Sequence, residues 1–146
     1  MKLLDFELTT PERTAIKAKV RQVTVPTSEG EITVLPDHLP IVAPVQAGEM
    51  QVVGEDGKVM LVAVSGGFIT VHPGSRLEIL ADTAERAEEL DLKAIEAAML
   101  RAQEALKEKI DDEERQAEAT AGLARELARL KVVRKHRSKQ GFHHVE

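Results

Sequence analysis

Cysteine, tryptophan and tyrosine are absent, and phenylalanine occurs three times in 146 residues. Without cysteine the chain has no disulfide framework, no thiolate metal site and no thiol nucleophile. The lack of aromatics removes the stacking platforms on which single-stranded nucleic acid is bound. No apolar run approaches the roughly 18 residues that cross a bilayer. The opening Met1-Lys2-Leu3-Leu4-Asp5 places one base before an acid with no apolar stretch behind it, so no signal peptide is expected. These absences together predict a soluble, cytosolic chain that meets a membrane only through a partner. A 42% hydrophobic content at this length suffices for one modest core with a small appendage.

The formal net charge of −5 is unevenly laid out. Residues 1–83 carry seven Lys/Arg against eleven Asp/Glu, residues 84–114 five against eleven, and residues 115–146 eight against three, for net charges of −4, −6 and +5. An acidic segment followed by a basic one invites either an antiparallel pairing or two separate partners.

The first eighty or so residues read as sheet. Leu4 to Thr9 alternates with period two, and Thr10-Pro11-Glu12 then makes a turn. Ile16, Ala18 and Val20 share one parity, Val23 and Val25 the other, which predicts a bulge near Arg21-Gln22 or a strand covered on both faces. Short apolar stretches follow at Ile32–Leu35, Ile41–Val45, Met50–Val53, Val59–Val64, Phe68–Val71 and Leu77–Leu80. Turn-forming clusters separate them, including Ser28-Glu29-Gly30, Pro36-Asp37-His38, Gly54-Glu55-Asp56-Gly57, Ser65-Gly66-Gly67 and His72-Pro73-Gly74-Ser75. Short strands at near-regular spacing predict an antiparallel sandwich or barrel, and the loops leave no room for parallel crossovers. Gly66-Gly67 is read as a turn and not as a phosphate cradle, because a strand follows it where a helix would be needed.

After Ala81 the character changes. From Thr83 onward glycine appears only at Gly122 and Gly141, proline is absent, and Ala, Glu, Leu, Lys and Arg dominate. Leu92, Ile95, Met99, Ala102 and Leu106 draw one helical stripe, with Asp91 as its N-cap. A turn at Ile110-Asp111-Asp112 follows, and Asp111 with Glu114 has capping-box spacing for a second helix whose apolar residues include Leu123, Leu127 and Leu130. Two helices of roughly twenty residues make an αα-hairpin. Its narrow, alanine-rich seam closes weakly, which makes the hairpin movable.

Several strings in this order resemble the epsilon subunit of bacterial and chloroplast F-type ATP synthases. They are Thr10-Pro11-Glu12-Arg13, Ser28-Glu29-Gly30-Glu31, Val34-Leu35-Pro36-Asp37-His38-Leu39-Pro40, Val64-Ser65-Gly66-Gly67-Phe68 and Leu80-Ala81-Asp82-Thr83-Ala84, with a weaker continuation through Leu123-Ala124 and Leu127-Ala128-Arg129-Leu130. The resemblance implies an α+β chain: an N-terminal antiparallel β-sandwich (residues 1–86) that binds the gamma shaft and the c-ring, and a regulatory C-terminal two-helix antiparallel hairpin (87–146). It implies a non-catalytic rotor subunit of the proton-translocating synthase, lying peripherally on the cytoplasmic side of the cell membrane and restraining ATP hydrolysis through its tail. Glu31 and His38 are the implied gamma and c-ring contacts. The basic run that includes Arg125, Arg129, Arg134 and Lys135 is the implied contact with the acidic surface of the catalytic beta subunit, alongside alpha. The same run also reads as a solvated helix end suited to the macrodipole.

The chain departs from the family where Thr33 and Asp37 stand for glycine. Asp tolerates the left-handed conformation better than most residues, whereas Thr33 implies a negative φ. In family members that bind ATP the first helix opens with Ile/Leu-Asp-x-x-Arg-Ala, and here the string is Leu90-Asp91-Leu92-Lys93-Ala94-Ile95. Glu85, Asp91, Arg101, Arg125 and Arg129 match or could support such a site, but Ala94 replaces the motif's guanidinium and Lys93 lies about 100° around the helix. No cofactor is expected, with ATP left as a possible regulatory ligand. A stand-alone ATP-sensing protein is the alternative reading, and a nucleic-acid binder is disfavoured by the acidic body. His136, His143 and His144 lack accompanying ligands for a metal site, and no catalytic centre stands out.

Overall fold

In the computed structural model, the described residues are 1–107 and 112–144, with side chains described as far as Ser138. Seven strands come first: β1 (Leu4–Thr9), β2 (Thr14–Thr27), β3 (Gly30–Val34), β4 (Ile41–Pro44), β5 (Gly48–Gly54), β6 (Val59–His72) and β7 (Arg76–Arg86). A single 3-10 turn at Ala87–Glu89 leads to α1 (Leu92–Lys107) and α2 (Glu113–His144). The sandwich followed by two helices is the architecture the alternating pattern predicts.

The sheet runs β1-β7-β6-β5-β2-β3, and β1 also pairs with β2, so the ladder closes into a flattened barrel with β4 attached to β6. Closure depends on the two 14-residue strands, β2 and β6, each of which serves both layers. In β2 the change of partner from β1 to β5 coincides with the register shift between Val20 and Gln22, the bulge foreseen from the parity change. Leu4, Phe6 and Leu8 of β1 point inward and join Val23, Val25, Met50, Ile69, Leu77 and Ile79 in a core that is almost wholly closed to water.

Three expectations about the sheet are corrected. Ser65-Gly66-Gly67 is not a turn: β6 runs through it unbroken, pairing with β5 before it, with β4 after it and with β7 on both sides. Gly66 (φ 56°) and Gly67 (φ 125°) supply the bend by which one strand passes between layers. At Gly67 a Cβ would lie 1.9 Å from the Leu80 carbonyl oxygen, so the residue also permits the close approach of β7. Second, β7 continues past Ala81 to Arg86, since Ala81 and Ala84 still face the core. Third, β1 and β7 are parallel. No short crossover is needed, because the whole intervening sheet connects them.

The helices differ from the roughly twenty residues expected of each: α1 has 16 and α2 has 32. Asp91 caps α1 through the Lys93 amide (3.1 Å) as foreseen. The cap of α2 falls on Asp112, whose carboxylate accepts from the Glu114 amide at 3.0 Å. Asp111 and Ile110 lie outside the described residues, as do the side chains of Lys139, His143 and His144. Ile95 packs with Leu130 and Val133, flanked by Leu90, Leu92 and Met99. Leu127, placed on the apolar stripe by spacing, is 48% exposed, and Val132 takes the buried position with Leu61, Ala63 and Ala87. The tail therefore lies folded on the outer face of β5 and β6. Among the described residues no ion pair joins α1 to α2. Two cations of the basic half of α2, Arg129 and Lys135, pair with the body instead.

Candidate functional site

Residues of β5 alternate, with Met50 and Val52 entering the core and Glu49 and Gln51 facing outward. Register then sets Glu49 opposite Ala63 of β6, and Ala63 opposite Glu85 of β7. Two carboxylates thus flank an alanine in one row across three strands. Helix α2 crosses this row. Arg129 donates from Nε to Glu85 Oε1 at 2.8 Å, adds a second bond from Nη2 to the same oxygen, and reaches Glu126 Oε1 from Nη1 at 2.5 Å. At the other end Lys135 Nζ donates to Glu49 Oε1 at 2.7 Å, an oxygen that also accepts from Gln51 Nε2 at 2.7 Å. The Glu49 side chain is 4% exposed and that of Glu126 is 6% exposed, so both are carboxylates that burial without a cation would penalise. Burial pushes the Glu49 carboxyl up, but the hydrogen bonds from Lys135 and Gln51 and the charges of Lys135 and Lys131 outweigh it and hold the group below its ordinary value.

Of the basic residues foreseen as one contact set, the fold separates two kinds. Arg129 and Lys135 are engaged with the body, whereas Arg134 is exposed. Arg125 is partly exposed, its Nε 3.8 Å from Glu126, beyond hydrogen-bond range. Of the set considered for ATP, the described contact is the one between Glu85 and Arg129. Asp91 serves as a helix cap, Arg101 is exposed on α1, and neither joins that pair among the described hydrogen bonds.

Glu31 and His38 do not share a loop. Glu31 is exposed opposite Pro26 beside the β2–β3 turn, while His38 follows the far end of β3. The His38 ring is partly buried, with Nδ1 2.7 Å from the Leu39 carbonyl oxygen. Asp37 holds φ 66°, the left-handed conformation expected of it, and its amide donates to Ser75 Oγ at 2.9 Å. Thr33 is regular strand, its hydroxyl 2.9 Å from that of Thr24.

A second surface was not foreseen. Pro44, Phe68 and Leu80 stand side by side on the outer face of β4, β6 and β7, and Val42 projects from the same face two residues along. Val42, Phe68 and Leu80 are 70%, 57% and 52% exposed. Three adjacent strands showing large apolar groups to solvent mark a contact surface. Glu49 and this strip were both missed because each depends on which face of a strand is covered, and parity alone leaves that open.

A family model described as "ATP synthase, Delta/Epsilon chain, beta-sandwich domain" matches residues 3–87. The chain is 39% identical over 137 residues to the protein named ATP synthase epsilon chain of Herpetosiphon aurantiacus, covering 94% of this chain and 98% of that one. It is 40% identical over 133 residues to the protein of that name from Moorella thermoacetica, covering 91% and 98%. Among solved structures, a chain in the Euglena gracilis mitochondrial ATP synthase (OSCP/F1/c-ring) aligns with a TM-score of 0.72 at 26% identity, over 84% of this chain and 76% of that one. A chain of the Tetrahymena thermophila central stalk/c-ring shares the fold, with a TM-score of 0.54 at 15% identity over 93% and 98%. With a matched body and relatives aligned through the helical tail, the chain belongs to the ATP synthase epsilon-chain family, a non-catalytic subunit of that complex.

Proposed function

We propose that this chain is a central-stalk subunit on the cytoplasmic side of the membrane, seated on the gamma shaft and the c-ring, whose tail restrains ATP hydrolysis. One observation carries the regulatory part. The main core draws on residues from Leu4 to Ala84 and includes none from either helix, whereas the tail rests on two small satellite clusters. The body can therefore keep its fold while the tail leaves. Released, α2 would carry its basic face toward the acidic surface of a beta subunit and obstruct rotation in the hydrolysis direction. Only a few kcal/mol separates the populations of such states. For the body, the strip of Pro44, Phe68, Leu80 and Val42 is the surface best suited to an apolar face of gamma, with Glu31 and His38 as further contacts.

Truncation after Ala87 tests this reading. In a reconstituted complex, coupling should persist and the hydrolysis rate should change, while an unaltered rate would remove the regulatory role. The alternative, a stand-alone ATP sensor, has less support, because Ala94 replaces the motif's Arg and Arg129 already holds two carboxylates.

A further inference from the structure

The acidic row on the body and the basic face of α2 are matched in length as well as charge. Glu49, Ala63 and Glu85 lie on three adjacent strands, so the two carboxylates stand two strand spacings apart, about 10 Å. Arg129 and Lys135 are six residues apart on one helix, a rise of about 9 Å. Val132 falls midway between them and is fully buried against Ala63 and Leu61. The pattern cation–apolar–cation on the helix thus meets carboxylate–alanine–carboxylate on the sheet, and a shift of one helical turn would break both ion pairs together.

We propose that Glu49 and Glu85 form a built-in receptor for the tail, standing in for the acidic surface that the same face of α2 would otherwise engage. This rests on the regulatory reading above and adds the identity of the competitor. Half of the expected contact set, Arg129 and Lys135, is withheld while the tail is docked, and Arg125 and Arg134 stay available to make first contact. The external partner that displaces the receptor should present carboxylates at the same spacing, about 10 Å, as residues six or seven apart along a helix do. Docked and engaged states are then mutually exclusive because one set of donors serves both.

The chain has no cysteine, so Ser28→Cys and Ser138→Cys, both at exposed positions, give a unique pair of spin labels on the full-length protein. Distance distributions should show the docked tail in the labelled parent. Each of Glu49→Gln and Glu85→Gln should lower the docked-to-released ratio about tenfold, and the double variant by more. The exchange Glu49→Lys with Lys135→Glu restores the pair with reversed sign and should return the docked distance. An unchanged distribution in the double variant overturns the receptor. A released tail that the charge exchange fails to recover also overturns it, since a general loosening of β5 would then explain the effect. Hydrolysis by the reconstituted complex separates the two readings. Variants that release the tail yet leave hydrolysis unchanged sink the regulatory function while the receptor stands.

Discussion

Replacing Gly67 with alanine should be among the most damaging single-methyl additions to this protein. The new Cβ would sit 1.9 Å from the Leu80 carbonyl oxygen, 2.8 Å from its carbon and 2.9 Å from the Ala81 Cα, all of them backbone atoms that no rotamer change can move. The φ of 125° adds strain for any L residue, about 1–3 kcal/mol. Forcing β6 and β7 apart at their Gly67–Ala81 pairing adds about 1–3 kcal/mol more. The sum, about 2–6 kcal/mol, is a large share of the roughly 4–13 kcal/mol expected for a body of this size. Gly74 is the control. Its φ is 82°, but a Cβ there meets nothing within 4 Å, so Gly74→Ala should lose only the backbone part. With neither Trp nor Tyr to report by fluorescence, calorimetry is the assay. Gly67→Ala should lower the body's Tm by roughly 10–45 °C and Gly74→Ala by roughly 5–25 °C, the first exceeding the second by the packing part. If the two variants melt within a few degrees of each other, β7 does not press on β6 at this point and the account of the bend is wrong.

Two further outcomes follow from the surfaces. Phe68→Ser with Leu80→Ser should leave the melting temperature nearly unchanged, since both side chains are more than half exposed, but should cut co-purification with gamma at least tenfold; retention at the parent level would remove the strip as the contact. Because the Glu49 carboxyl is held below its ordinary value of 4.5, its ion pair contributes to docking at all pH above that value and is lost as pH falls through the depressed one. The spin-label distance should therefore be constant from about pH 8 to about pH 6 and lengthen only in stronger acid. Release near pH 6.5 would mean that a different titrating group holds the tail.

Much of the body could be read from the residues. Leu4, Phe6 and Leu8 alternate strictly because β1 has one covered face, and the parity change after Val20 appears as the bulge where β2 changes partner. Gly66-Gly67 misled for a physical reason. Paired glycines with positive φ suit a hairpin and a strand crossing between layers equally well, and only the backbone of β7 against Gly67 distinguishes them. The pairing of β1 with β7 was hidden because it is set by closure of the barrel and leaves no local signal. Heptad-like spacing placed Leu127 inside, yet α2 rests on a sheet as well as on α1, which turns Val132 and Ala128 inward and leaves Leu127 exposed. The basic run was visible as charge, but its division into held and free members depends on Glu49, whose outward parity in β5 was the available clue.

Under the proposed regulation, the division of labour between apolar and charged contacts would make the tail both specific and releasable. Val132 and the small cluster around Ile95, Leu130 and Val133 supply contact area, but hydrophobic attraction is indifferent to register and would tolerate a slide along β5 and β6. The ion pairs do the reverse. Lys135 stays partly exposed, so the net stability its pair with Glu49 adds is modest, yet a misplaced helix would leave Glu49, itself buried, under apolar cover without its cation. Specificity thus comes from the penalty on wrong positions, while the net hold on the right one stays small. A tail fastened by a deeper apolar seam would be fixed to the body, and one fastened by nothing would be disordered. Two short charge pairs flanking Val132 place it between those limits, where, under the proposed regulation, a competing acidic surface of ordinary affinity would be enough to draw it away.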